Sequence, residues 1–288
     1  DLAPSNKTLI KDGGDYSAEN RTGRNFRFGV REHGMAAICN GIALHGGLRV
    51  YCATFFVFTD YMKGAMRLAA IMKLPITYVL THDSIGVGED GATHQCNEDL
   101  ALMRTIPGMT IINPADDVEA QAAVMAAVAY EGPVYLRFGR LAVPVFNGPD
   151  YKFQWGKGVT LKEGTDVTIA ATGLLVYEAV LAAEELAKEG ISTRVLNIHT
   201  IKPIDKDLLA KAAAETGVIV TAEEHSIIGG LGAAVMEAIS EDPVPVVRLG
   251  VNDTYGHSGK GAELLLEYSL GRDGIISAVK DALKLKKN

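Results

Sequence analysis

Apolar residues in the first half of the chain change their spacing repeatedly, and the changes mark out elements. Residues 35–44 are small and apolar enough to predict a buried helix, and residues 49–53 read as a short strand. Helical spacing returns over residues 59–72, and Pro75 introduces a second strand at 76–80. Residues 110–113 then read as a strand, 116–130 as a helix capped at Pro114 and Asp116, and 134–138 as another strand. Strands alternating with helices imply βαβ units around a mainly parallel sheet.

Residues 141–165 lose that period and gather Pro, Gly, Asn and Asp, the text of an interdomain linker. A boundary near Asn147 divides the chain into 1–147 and 148–288. After it the alternation restarts: strand 166–171, helix 175–188, strand 193–197, helix 206–215, strand 217–222, helix 232–240, strand 245–249 and terminal helices over 262–286. The basic end "KLKKN" reads as a solvated helix terminus. The expectation is an α/β protein of two α/β domains, each built on a mainly parallel sheet, and 288 residues suffice for two such cores.

Composition narrows the function classes. The net charge of -7 leaves no general attraction to nucleic acid or anionic lipid, although two or three cations in one place could still hold a small phosphate. Cys39, Cys52 and Cys96 form no CxxC pair, and no histidine spacing suits zinc, so no metal site is expected from this chain alone. No apolar stretch is long enough to span a membrane, and the cytoplasm is the expected compartment. Asp1 in place of Met implies an upstream piece.

Four segments are candidates for chemistry. "THDSIGVGEDGATHQCNED" (81–99) follows a strand directly, where ligands bind in open parallel sheets, and holds His82, His94, Glu89 and Asp90 among three glycines. Such a loop can be a solvated connection that uses Asp and Gly for its turns; its length favours function. In "FGVREHGM", Glu32 opens an apolar helix, either as a cap or as a buried carboxylate that needs a partner. Phe55, Phe58 and Tyr61 recur at i, i+3, i+6, a stripe more often core than ligand surface. In "YLRFGR", Arg137 and Arg140 stand at a strand's carboxyl end, in reach of an anion. By contrast, Gly229, Gly230 and Gly232 read as a tight turn that brings a helix close to the sheet, and Glu223, Glu224 and His225 lack partners for a metal.

Together, "DLAPSNKT", "FGVREHGM", "TFFVFTDYMKGAMRLAA", "THDSIGVGEDGATHQ" and "YLRFGR" resemble transketolase, a thiamine-diphosphate enzyme family, in order and spacing over essentially the whole chain. The resemblance implies a pyrimidine-binding domain over 1–147, short of its opening helix and strand, followed by the family's C-terminal domain. By position, Glu32 matches the glutamate that bonds the cofactor's aminopyrimidine and favours its reactive imino form. Phe55, Phe58 and Tyr61 match the aromatic residues around that ring. Asp90 and His94 match residues that meet the sugar hydroxyls and the reacting carbon, with His94 and Glu32 as the catalytic pair. Ser5, His82 and Arg140 match the sugar-phosphate site. Cys96 stands where relatives often have Pro, "RFGR" replaces the commoner "LSR" or "SRQ", and one phosphate-contacting arginine is missing.

The family holds the diphosphate and its divalent cation, Mg2+ or Ca2+, through a separate domain with a GDG motif, and no GDG occurs here. The resemblance therefore implies a partner subunit or domain bearing GDG, a second copy of this chain across a two-fold, and a homodimeric or heterotetrameric assembly. It implies two-carbon ketol transfer between sugar phosphates in the pentose phosphate pathway, with no role in nucleic-acid or membrane binding. Deoxyxylulose-phosphate synthase and the 2-oxo-acid dehydrogenase beta chain are alternatives within the superfamily, opposed by "GVREHGM" and "THDSIG" where "AEQ"-type text is expected. A non-catalytic assembly or regulatory module of the same fold is the third alternative, opposed by the joint presence of Glu32, Asp90 and His94.

Overall fold

The computed structural model describes residues 2–286; Asp1, Lys287 and Asn288, at the ends of the opening motif and the basic tail, lie outside the described residues. The first half contains α1 (Ala3–Asn6), α2 (Glu32–His45), β1 (Val50–Phe55), a 3-10 helix (Phe56–Tyr61), α3 (Lys63–Ile71), β2 (Ile76–Thr81), a 3-10 turn (Ile85–Val87), α4 (Asp99–Arg104), β3 (Thr110–Ile112), α5 (Asp117–Ala129) and β4 (Val134–Phe138). The second contains β5 (Val159–Lys162), β6 (Val167–Ala171), α6 (Leu175–Lys188), β7 (Thr193–Asn197), β8 (Thr200–Lys202), α7 (Lys206–Thr216), β9 (Ile219–Ser226), α8 (Leu231–Ala238), β10 (Val246–Val251), α9 (Gly261–Glu267) and α10 (Arg272–Leu285).

Two five-stranded sheets result. The first runs β1-β2-β4-β3-β8 and the second β10-β9-β6-β7-β5, with every pair parallel except the edge pairs β3/β8 and β5/β7. The α/β class is as the alternation predicts. Central β6 is buried at all five positions, because helices cover both faces of a parallel sheet and leave no solvent side to alternate with.

Three departures from the sequence reading bear on the site. The helix expected over 59–72 starts only at Lys63, because the preceding residues wind as a 3-10 helix. Residues 141–165 are not all linker: β5 lies within them and pairs antiparallel with β7, too short and half-exposed to stand out by period. The remainder is strapped down, with the Phe146 and Asn147 amides donating to Asp116 Oδ2 at 3.0 and 2.8 Å and Trp155 stacked on Tyr130 at 4.2 Å. Third, β8 follows the second domain's β7 yet joins the first sheet, so the sheets share a continuous stretch of backbone. Short β8 and α4 carry no period visible in the sequence.

At the opposite edge of the first sheet, β1 faces a groove of about 780 Å³ between residues 24–28 and 50–53. Cys39 and Cys52 lie along it as free, buried thiols. No helix among the described residues is long and apolar enough to cross a membrane.

Candidate functional site

The register of the first sheet brings three strand ends together. Phe55 is paired with Thr81, and Thr81 with Phe138, so the carboxyl ends of β1, β2 and β4 lie side by side. Phe55, His82 and Arg140 therefore emerge along one edge, where a parallel sheet leaves a crevice for ligands. His82 adopts a left-handed backbone, φ 60°, which is uncommon outside glycine. Two contacts hold it there: its Nδ1 lies 2.9 Å from Thr81 Oγ1, and its ring stacks on Phe55 with centroids 3.7 Å apart. Burial pushes the imidazole's pKa down, and the Arg140 guanidinium adds to the effect.

The long loop after β2 is folded rather than loose. Its base closes where the Ser84 amide donates to the Cys96 carbonyl at 2.8 Å, and its tip turns through Gly88 and Gly91, both left-handed, with the His94 amide donating to Gly91 O at 2.9 Å. This winding returns Asp90 and His94 toward His82. His94 meets Phe58 edge-on at 5.7 Å, and its Nδ1 lies 2.8 Å from Thr93 Oγ1. Arg140 Nη1 reaches Glu89 Oε2 at 3.1 Å, Asp90 Oδ2 at 3.8 Å and the Val87 carbonyl. Its Nη2 and Nε have no partner among the described residues, so half of the guanidinium fork is open. Cys96, at the place of the family's Pro, still supplies the carbonyl that closes the loop.

The aromatic stripe has a local cause. A 3-10 helix has three residues per turn, so Phe58 and Tyr61 lie one above the other, while Phe56 turns inward against Tyr135 at 5.3 Å. Phe55 and Phe58 stack at 5.9 Å; Tyr61 stands 69 % exposed beyond them. Glu32 forms the first turn of α2, which packs against β1 and this 3-10 helix. It is buried, and the N-cap of α2 is Arg31, whose side chain makes no capping hydrogen bond. Among the described residues no side chain pairs with its carboxylate. Ser5 is not brought into the cluster: it is exposed on α1, and Thr8 just beyond is held by the Tyr51 hydroxyl in the amino-terminal half of β1.

Arg137 corrects the expectation of two arginines open to an anion. Side chains alternate along β4, and this one points inward. Its Nη1 meets Asp83 Oδ2 at 2.6 Å, its Nε and Nη2 bracket Asp99 at 2.5 and 2.9 Å, and Nη2 also donates to the Glu224 carbonyl at 2.8 Å. Burial works to raise Asp99, but Arg137 outweighs it and holds that carboxyl below the usual range; Asp83, less fully engaged, stays raised by burial. Glu223 spends its carboxylate on the Leu231 and Gly232 amides at 2.5 and 2.8 Å, so the start of α8 is already satisfied from within. The glycine turn brings α8 close, as expected: a Cβ on Gly230 would stand 2.1 Å from Glu223 Oε2. Among the described residues no group of three or more His, Cys, Asp or Glu is arranged to hold a metal. Sequence reasoning gave no role to Asp83, Gln95 and Asp99, which lie unremarked within the polar 81–99 segment, and considered Glu224 only as a metal ligand without partners.

Comparison with known proteins gives the family. Residues 1–145 match the family model described as "Transketolase, pyrimidine binding domain", and residues 156–275 match "Transketolase, C-terminal domain". A Methanocaldococcus jannaschii protein named as a transketolase C-terminal section is 39 % identical, aligned over 91 % of this chain and 83 % of its own. The transketolase of Bacillus subtilis is 38 % identical over 97 % of this chain, which spans only 42 % of that enzyme. A solved structure titled as a split-gene transketolase, an inactive beta4 tetramer, superposes with TM-score 0.89 at 42 % identity, covering all of this chain and 91 % of that one. The chain therefore belongs to the thiamine-diphosphate-dependent transketolase family and corresponds to that family's C-terminal section.

Proposed function

We propose that this chain works as the C-terminal subunit or section of a transketolase, moving a two-carbon ketol unit from a ketose phosphate to an aldose phosphate together with a partner that bears the diphosphate-binding domain. The observation that carries the reading is the convergence of His82, Asp90, His94 and Arg140 beside Phe55 and Phe58 at one strand edge. A sugar phosphate needs what this edge offers: an open guanidinium for the phosphate, a carboxylate and imidazoles for hydroxyls, and an apolar wall that limits water.

Thiamine diphosphate fits the same neighbourhood. Glu32 is a buried carboxylate with free hydrogen-bonding capacity, suited to an aminopyrimidine nitrogen, and Phe55, Phe58 and Tyr61 offer ring faces. When bound, the cofactor would supply a nucleophilic thiazolium carbon. The chain's own work is to hold a proton at the pyrimidine nitrogen through Glu32, exchange one with a sugar hydroxyl at the reacting carbon through His94, and orient the hydroxyls through Asp90. Arg140 and His82 hold the phosphate. Ser5 enters this site on the strength of its motif alone.

The diphosphate and its Mg2+ or Ca2+ fall to the partner, because GDG has no counterpart here. Assembly with a second copy across a two-fold, action in the pentose phosphate pathway and a cytoplasmic setting complete the reading. The test mixes this chain with an N-terminal transketolase subunit carrying GDG, thiamine diphosphate and magnesium. Transfer from fructose 6-phosphate to ribose 5-phosphate that needs both chains supports the reading. Transfer by this chain alone, or none with both, refutes it.

A further inference from the structure

The loop bearing His82, Asp90 and His94 is gripped from the second half of the chain. Midway along it the Gly86 amide donates to Glu224 Oε1, on β9, at 2.5 Å. Gln95 Nε2 ties the Gly88 carbonyl, at 3.1 Å, to the His257 carbonyl between β10 and α9, at 3.0 Å. The Ser226 amide donates to Asn97 O at 2.8 Å. The surfaces fit so closely that a Cβ on Gly91 would lie 2.5 Å from Ser258 Oγ, and one on Gly88 would lie 3.0 Å from Gly261 N. Glu224 itself is buried and touches none of the candidate substrate residues.

The geometry points to Glu224 as a positioning residue: from the second domain it fixes the Gly86 amide and so sets where Asp90 and His94 stand. The second domain then serves the substrate site without reaching it. Burial, reinforced by nearby Asp83, pushes the Glu224 carboxyl well up toward its neutral form, which a glutamine amide mimics in shape and in accepting an N–H. Alanine leaves the Gly86 amide buried without its acceptor.

The inference rests on the loop's role in the transketolase reading, so its test has two arms. In the complex with the GDG-bearing subunit, Glu224→Ala should lower kcat/KM for fructose 6-phosphate by about tenfold to a hundredfold, partly through KM, as misplacement of a site residue does. Thiamine diphosphate affinity should hold, and Glu224→Gln should restore parental kinetics. On the chain alone, hydrogen exchange at residues 86–94 should quicken in Glu224→Ala and not in Glu224→Gln. Parental KM in the alanine variant, or a loss of activity that only tracks a smaller folded fraction, overturns the proposal. If the parental complex is inactive, the transketolase reading fails by itself, and unchanged exchange in Glu224→Ala then sinks the positioning claim separately. Should Glu224→Ala not fold, Gln95→Ala cuts the neighbouring tie and is expected to raise KM and loop exchange; parental values there overturn the proposal equally.

Discussion

The imidazole of His82 lies nearly flat on the ring of Phe55, with centroids 3.7 Å and planes 19° apart. The two residues are 27 positions apart in sequence, and only the parallel register of β1 and β2 makes them neighbours. Holding a histidine left-handed costs on the order of 1 kcal/mol or more, and the stack together with the Thr81 contact offsets it. A strained polar residue at a strand end marks a place where position matters more than stability.

Glu32→Gln keeps size and burial but removes the carboxylate from the cofactor side. In the reconstituted complex, turnover should fall at least about a hundredfold, the scale of a lost acid–base role. Thermal unfolding of the chain should change little, because among the described residues no side chain pairs with the Glu32 carboxylate and glutamine fills the same space. Parental turnover would reduce Glu32 to a filler at the entry of α2.

Arg140→Ala removes a contact made alike in ground and transition states. The expected result is a raised KM for phosphorylated ketoses with kcat largely kept, and little effect on an unphosphorylated donor. Paired kinetics on both donors check it; an equal penalty on each would move Arg140 from the phosphate to the support of the loop through Glu89 and Val87.

Arg137→Met leaves Asp83 and Asp99 buried together without their cation. Breaking a buried ion pair from one side typically costs about 3–5 kcal/mol, so the urea midpoint should drop sharply. Neutralising the partners as well, with Asp83→Asn and Asp99→Asn in the same chain, should recover part of the loss. If the triple variant unfolds as early as the single one, the guanidinium acts by packing rather than by charge.

Stability should fall on mild acidification, and His199 is one named cause. Its ring is fully buried, tilted against Phe153 at 4.5 Å, with Nε2 unpartnered among the described residues, and burial lowers its pKa to about 4. An unfolded histidine takes its proton near pH ~6.5. Between those values the unfolded state binds more protons, so this contribution is present above ~6.5 and is lost progressively as pH falls toward 4. Urea melts of parent and His199→Leu across that window check the sign: the parent should weaken more steeply than the variant. Raised carboxyls such as Glu119 and Glu223 act in the opposite direction and do so in both proteins.

Much of the architecture was legible because burial imposes period. Helix α6 and strand β7 stand where apolar spacing put them, since both are long enough for one face to be read. Short edge elements escaped: β8 is three residues, and its place is decided by a partner some ninety positions away. The candidate site was legible in part, because the polar loop after β2 and the aromatic stripe are dense in local text. What sequence could not convey is direction. Arg137 and Arg140 look alike in "YLRFGR", yet β4 turns the first into a buried acidic pair while the second, past the strand's end, stands beside the loop. Nor does local text reveal that Gly86 and Glu224, 138 positions apart, share a hydrogen bond.

Strand β8 makes the two halves a poor choice for independent inheritance. A segment ending before residue 200 would leave β3 with an open hydrogen-bonding edge, a template for adhesion to other chains, while a segment starting at the linker would carry a strand with no sheet to join. Shuffling either half into another protein thus breaks both at once. Any cut that keeps both sheets whole falls outside the pair, not between them.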